Sequence, residues 1–155
     1  MNKSLEHIQK AQHYLRTSDH IVTTTYAVVQ EPKVLVSSLE NIFLALTNSL
    51  SAILYHARLQ RKIPPFHNTF ESKFNMFQLR IIELYPYTKE DVAFIEKIYN
   101  LVLFHKKSPV EFSRKSEFVM CSDSYSIEKL SVTVLQGFMK RATDFLQKTT
   151  ELVRV

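Results

Sequence analysis

One glycine, Gly137, serves a chain of 155 residues. Sheet-rich domains of this length draw on several glycines for the left-handed positions of their tight turns, so the backbone is expected to be mostly helix joined by few turns. Prolines at positions 32, 64, 65, 86 and 109 mark where those helices must start or stop. The length suits one domain, covering residues 1–155, which at this size buries roughly 70% of the surface of its unfolded chain. With 45% hydrophobic and 23% charged residues, the chain is globular in composition and unlike a disordered one.

Leu5, Ile8, Leu15, Val22 and Val29 recur at threes, fours and sevens, which predicts a first helix running to about Val28. Its second half, Ile21 to Val29, is β-branched enough for a strand, but no neighbouring segment supplies a partner. Pro32 suits the first turn of a second helix, Pro32 to about Lys62, with Leu35, Leu39, Ile42, Leu46, Leu50, Ile53 and Ala57 as its apolar stripe. Beside that stripe, Ala45, Ser49 and Ala52 form a row of small residues that lets another helix approach, within the chain or across a two-fold axis. His56 continues the row.

After Pro64 and Pro65, Asn68 with Glu71 reads as a capping box opening a third helix, Thr69 to Leu84. Thr88 with Asp91 repeats the design for a fourth, Lys89 to about Lys106. Between Lys107 and Leu130 the pattern changes: Glu117 to Cys121 is apolar and β-rich, Ser122 to Ser124 has turn chemistry, and Tyr125 to Ile127 completes a short hairpin. Ser131 then caps a fifth helix with Val134, Leu135, Phe138, Ala142, Phe145 and Leu152 inward. Gly137 inside it costs about 1 kcal/mol against alanine, and it is read as marking a close helix contact or as neutral drift. The fold class is all-α: an antiparallel bundle of about five helices with a β-hairpin between helices 4 and 5.

Several function classes fall away. Cys121 is the only cysteine, so no intrachain disulfide or two-cysteine metal site can form, and Cys121 reads as a small buried hydrophobe in a cytoplasmic protein. Met1 to Leu15 is unlike a secretory signal, and Ile42 to Tyr55 is shorter than the roughly 20 residues of a membrane span, so no membrane partner is expected. Six histidines without metal-ligand spacing, and no nucleotide loop or Gly-flanked nucleophile, leave no metal, cofactor or triad to propose. Asp19 and His20 interrupt the first helix's stripe and, if buried, read as a hydrogen-bonded core pair ahead of a proton relay. A net charge of +5 and a pI near 9.3 point to RNA or an acidic protein as partner.

Short connections between long helices predict an up, down, up, down, up order. That order gathers His7, Lys10, Arg58, Arg61, Lys62, His67, His105, Lys106, Lys107, Arg114 and Lys115 at one pole, among Glu71, Glu111, Glu117 and Asp123. Glu31, Glu83, Glu90, Asp91 and Glu151 go to the other. Arg58, Lys62, Lys106, Lys107, Arg114 and Lys115 are the candidate phosphate contacts, with Phe66, Phe112 or Tyr125 able to stack on bases. The plainer reading is that bases near helix C-termini only answer the helix dipole. His105 to Lys115 is read as a loop carrying a histidine, four bases and two hydroxyls. In it His105 is a candidate general acid or base, or else simply ends the face Phe94, Ile98, Leu101.

The helical hairpin from Glu31 to Phe70, ending in Arg61-Lys-Ile-Pro-Pro-Phe-His67, resembles the HEPN superfamily, whose nucleases carry an arginine and, a few residues on, a histidine. Here the interval is five residues. That resemblance implies a bundle of four or five helices, a homodimer, association with RNA and, in some members, metal-independent ribonuclease activity. Arg61 and His67, or His105, would then be catalytic. The closing portion, His105 to Tyr125, looks more like small archaeal helical proteins of unassigned function. Three functions follow: a helical module binding RNA or another acidic partner, a HEPN-like ribonuclease, or a protein-interaction subunit without nucleic-acid affinity.

Overall fold

A computed structural model describes residues 2–154. The first helical rod, α1, spans Lys3–His20, passes through a π-turn at Ile21–Thr25 and ends at Tyr26–Val29. Asn2 caps it by accepting from the Ser4 N–H at 2.8 Å. The β-branched stretch is thus helical, and the hydroxyl of Thr23 donates to the Asp19 carbonyl at 2.8 Å within the π-turn. Ile21 and Val22 are buried, whereas Asp19 and His20 are exposed, so the expected core pair does not form.

The second rod, α2, starts with a 3-10 turn at Pro32–Val34 and continues as Leu35–Leu59. All seven predicted stripe residues are completely buried. Pro32–Leu59 is long and apolar enough to cross a membrane by length and composition, more than Ile42 to Tyr55 alone indicates. In the fold, α1 lies along it, and Ser18 and Ser38 join their hydroxyls across the buried contact at 2.6 Å. Ala45, Ser49 and Ala52 are buried within the chain, which leaves that row no surface for a second copy.

The third rod, α3, comprises Phe70–Met76, a π-turn at Phe77–Ile81 and Ile82–Leu84. Thr69, not Asn68, is its cap, accepting from the Ser72 N–H at 3.2 Å. The Ser72 hydroxyl accepts from the His67 N–H, and Glu71 accepts from the Tyr99 hydroxyl at 2.8 Å instead of reaching back. The fourth helix, α4, is Lys89–Lys107 and opens with the predicted Thr88–Asp91 capping box.

The up-down order fails at α3. Phe66 packs on Tyr55 and Phe70 on Phe43, so the chain after α2 travels back along that helix before α3 begins. At the far end of α3, Arg80 donates to the Lys62 carbonyl at 3.3 Å and the Tyr85 hydroxyl to Gln60 at 3.4 Å. Therefore α3 runs parallel to α2. The helix α4 consequently runs the other way from the predicted one, and its C-terminus lies at the start of α2, not at its end.

There the chain forms a three-stranded antiparallel sheet: β1 at Val110–Arg114, β2 at Glu117–Cys121 and β3 at Ile127–Leu130, in the order β1-β2-β3. The predicted hairpin gains a strand, which takes Val110–Arg114 out of the predicted His105–Lys115 loop, while His105, Lys106 and Lys107 still belong to α4. Phe118, Met120 and Leu130 turn inward from the sheet and join a buried cluster fed by every helix. Ser131 caps the last helix, α5, Val132–Val153, by accepting from the Val134 N–H. Gly137 does not mark an internal helix contact, because a Cβ built there meets nothing within 4 Å. In dilute solution Gly137→Ala should raise stability by about 1 kcal/mol and Tm by about 2–4 °C by differential scanning calorimetry.

Candidate nucleic-acid interface

The proposed basic pole is split between two ends of the molecule. Arg58, Arg61 and Lys62 stand where α1 starts and α2 ends, while His67 lies on the returning segment, beside the start of α3. His105, Lys106, Lys107, Arg114 and Lys115 stand at the sheet, where Ser113 donates a hydrogen bond to Glu31 beside the start of α2. The reversal of α3 explains the separation. It also brings Glu83, Glu90 and Asp91 to the same end as Arg58, so no acidic pole opposes a basic one.

At the first end the backbone of α2 closes in a Schellman turn. The Lys62 N–H donates to the Ala57 carbonyl and the Arg61 N–H to the Arg58 carbonyl, both at 2.9 Å. Glycine usually occupies the left-handed position of this turn, yet here it is Arg61, with φ 58°. The result projects Arg58, Arg61 and Lys62 outward in succession, all exposed. Arg58 lies over the ring of Phe66 at 5.8 Å and Lys3 over that of Tyr55 at 4.8 Å.

Asn2, Lys3, Tyr55, Arg58, Leu59 and Arg61 line one open depression of about 670 Å³. No carboxylate is among them. Leu59 is 75% exposed, so the depression joins three cations to an apolar shoulder. Lys3 and Tyr55 were missed in the sequence. Their only signal was that the start of one antiparallel helix must meet the end of the next.

Behind Tyr55 the His7 ring stacks at 5.5 Å, and its Nδ1 lies 2.8 Å from Asn48 Oδ1. Asn48 donates its amide to the Leu44 carbonyl, which leaves Oδ1 to accept from His7. Burial, reinforced by the charges of Lys10 and Lys73, holds the His7 pKa below the usual imidazole value despite the Asn48 bond. Burial and Lys62 lower that of His56 likewise, and burial lowers that of Lys73. Both histidines are therefore harder to protonate in the fold than in the unfolded chain. Their stability contribution is present above the unfolded pKa of about 6.5 and lost as pH falls below it. The Tm should fall from pH 7 to pH 5, and it should fall less in the double variant His7→Gln/His56→Gln.

The sheet end is electrically mixed. Glu31, Glu111, Glu117, Asp123 and Glu128 lie among Lys106, Lys107, Arg114, Lys115 and Lys129 on the strands and turns there. His105 pairs with Glu111 at 2.7 Å, both partly buried, so it does more than end a helix face. Glu111 and Ser113 share the inner sheet face, while Val110, Phe112, Val119, Cys121 and Ile127 share the outer one. Phe112 is 43% exposed and Tyr125, in the β2–β3 turn, 91%. Cys121 is half-buried and not a core residue.

Chemically, the first end can hold an anion against fixed cations, and the sheet end offers an oriented imidazole and two exposed rings. Among the described residues no three His, Cys, Asp or Glu side chains converge as a metal site. Comparisons with protein-family models, with curated proteins and with solved structures find no match for this chain.

Proposed function

We propose that the protein is a helical module that binds single-stranded RNA through its phosphates at the end where α1 begins and α2 finishes. The single observation that carries this reading is the depression in which Lys3, Arg58 and Arg61 surround Tyr55, with no carboxylate lining it among the described residues. Three unneutralised cations of this kind attract a phosphate chain and release its counterions, a sequence-independent contribution that falls with salt. Arg58 and Lys62 remain contacts in this reading. Lys106, Lys107, Arg114 and Lys115 become secondary, because acids stand among them.

Arg61 supplies a sharp test. Arg61→Gly removes a side chain from the anion site and relieves a left-handed residue, so the fold should gain about 1 kcal/mol while RNA affinity drops. Fluorescence anisotropy with a mixed-sequence oligonucleotide and a thermal melt read the two effects separately. Affinity unchanged in Arg61→Gly sinks the assignment. Absence of salt-dependent RNA binding by the wild type at low ionic strength transfers the site to an acidic protein partner.

A second reading, HEPN-like cleavage without metal, draws support from His67, whose ring is exposed six residues from Arg61, and from the His105–Glu111 pair, which orients an imidazole as a general base requires. With EDTA present, cleavage lost in His67→Ala or His105→Ala with binding retained would mark the protein as a ribonuclease. Intact RNA leaves it a binder.

A further inference from the structure

Helix α3 opens on the stripe Phe70, Lys73, Phe74 and Phe77, spaced as residues on one face of a helix are. Phe70 is half-buried and stacks on Phe74 at 5.4 Å and on Tyr99 at 4.3 Å, while Phe77 is completely buried. One position of this aromatic stripe is a lysine. Lys73 is only 6% exposed, whereas the other lysines of the described residues are exposed or, at Lys148, half-buried and paired with Asp91 at 2.8 Å.

Nothing in the chain answers the charge of Lys73. Among the described residues Lys148 is the one lysine whose ammonium finds a protein acceptor, so Lys73 has neither a carboxylate nor a carbonyl. Glu71, two residues away, accepts from Tyr99 instead. On the side of α1 stand more bases: the charges of Lys73 and Lys10 both act on His7. A buried ammonium without a counter-ion is costly, and burial accordingly holds the Lys73 pKa below the usual lysine value. The nitrogen is nevertheless not sealed. No enclosed polar atom of the described residues lacks a hydrogen-bond partner, so an amine that has none must touch solvent. The stem of Lys73 therefore lies among the rings while its nitrogen stands at the surface.

We propose that Lys73 is a nucleophilic amine and a site of covalent modification by small aldehydes. Three features of the place favour this: an apolar stem site, no counter-ion, and an accessible nitrogen. An amine so desolvated keeps its lone pair more readily than the solvated ammonium of an exposed lysine. That lone pair attacks the carbonyl carbon, and one amine proton passes through water to the carbonyl oxygen. The carbinolamine so formed loses water to leave an imine, with no oxidant or reductant consumed. The product suits the place better than an ammonium does, because an imine is the weaker base and stays neutral over a wider range of pH. The small exposed area admits a compact carbonyl compound and turns away a bulky one. None of this depends on RNA binding.

Glyoxylate in limiting amount, with sodium cyanoborohydride at neutral pH, tests this on the full chain, since reduction fixes any imine as a stable secondary amine. Peptide mass mapping should find Lys73 modified severalfold faster than the exposed Lys3, Lys10 and Lys62. In concentrated urea that preference should vanish, because unfolding gives every lysine the same surroundings. Lys73→Arg keeps the positive charge without a nucleophile. It should retain the helical circular dichroism spectrum and the slow modification of the other lysines while losing the fast one. Native Lys73 that reacts no faster than the exposed lysines overturns the proposal. So does a preference for Lys73 that persists in the unfolded chain.

Discussion

Replacing Arg58 and Arg61 together by glutamate should weaken binding to a mixed-sequence single-stranded RNA on the order of a hundredfold at low salt. Two phosphate contacts would be lost and two repulsive charges introduced in a depression whose only other lining cation among the described residues is Lys3. Each lost contact removes about 0.7 from the slope of log affinity against log salt, so the plot should flatten by about 1.4. The melt should hardly change, because both side chains are exposed and neither pairs with a carboxylate among the described residues. The same exchange at Lys106 and Lys107 should have a smaller effect, because Glu111 and Glu31 stand near that end. Equal losses at the two ends would mean that binding follows net charge and not a site.

Local chemistry carried most of the helical elements. A single glycine announced few turns; the stripe from Leu35 to Ala57 is fully buried; and Thr88, Asp91 and Ser131 cap the helices they were expected to cap. These signals are local, since caps and stripes depend on residues within one or two turns. The direction of α3 is not local. Ten residues separate α2 from α3, and two of them, Pro64 and Pro65, hold the chain extended at about 3.1 Å per residue. A connection of that reach can return along a whole helix, so the rule that makes neighbouring helices antiparallel lost its premise.

One misread connection moved every charge beyond it. An antiparallel α3 would bring His105, Lys106, Lys107, Arg114 and Lys115 beside Arg58; the parallel α3 turns α4 round and carries them to the sheet end. The extra strand was hidden for a different reason. Val110 to Arg114 mixes Glu, Ser and Arg into a short segment at the sheet edge, so its alternation is weak. Its turn uses Lys115 at φ 55° where a glycine would have signalled the hairpin. A glycine-poor chain conceals its turns, because Gln30, Arg61, Lys115 and Tyr125 all adopt left-handed geometry without advertising it.

The largest effect on stability should come from Phe77→Ala, at about 3–5 kcal/mol. Phe77 lies in the π-turn of α3 and is completely buried. Its ring meets Tyr87 edge-on at 4.9 Å and Phe145 at 5.8 Å, while those two rings approach each other at 5.2 Å. The trio ties α3 to the start of α4 and to the middle of α5. Tyr87 is held in turn by a 2.7 Å hydrogen bond to the buried Thr149 hydroxyl, and burial pushes its phenol well above the usual range, so it stays protonated at neutral pH. Removing the Phe77 ring opens a void beside a polar pair that depends on tight packing to exclude water. Against a total stability of about 5–15 kcal/mol, such a loss should lower Tm by about 6–20 °C. Leu79→Ala, two residues away but 69% exposed, should change stability by less than about 0.5 kcal/mol. The contrast reads the face of the π-turn directly: similar melts for the two variants would mean that α3 presents a different side to the core.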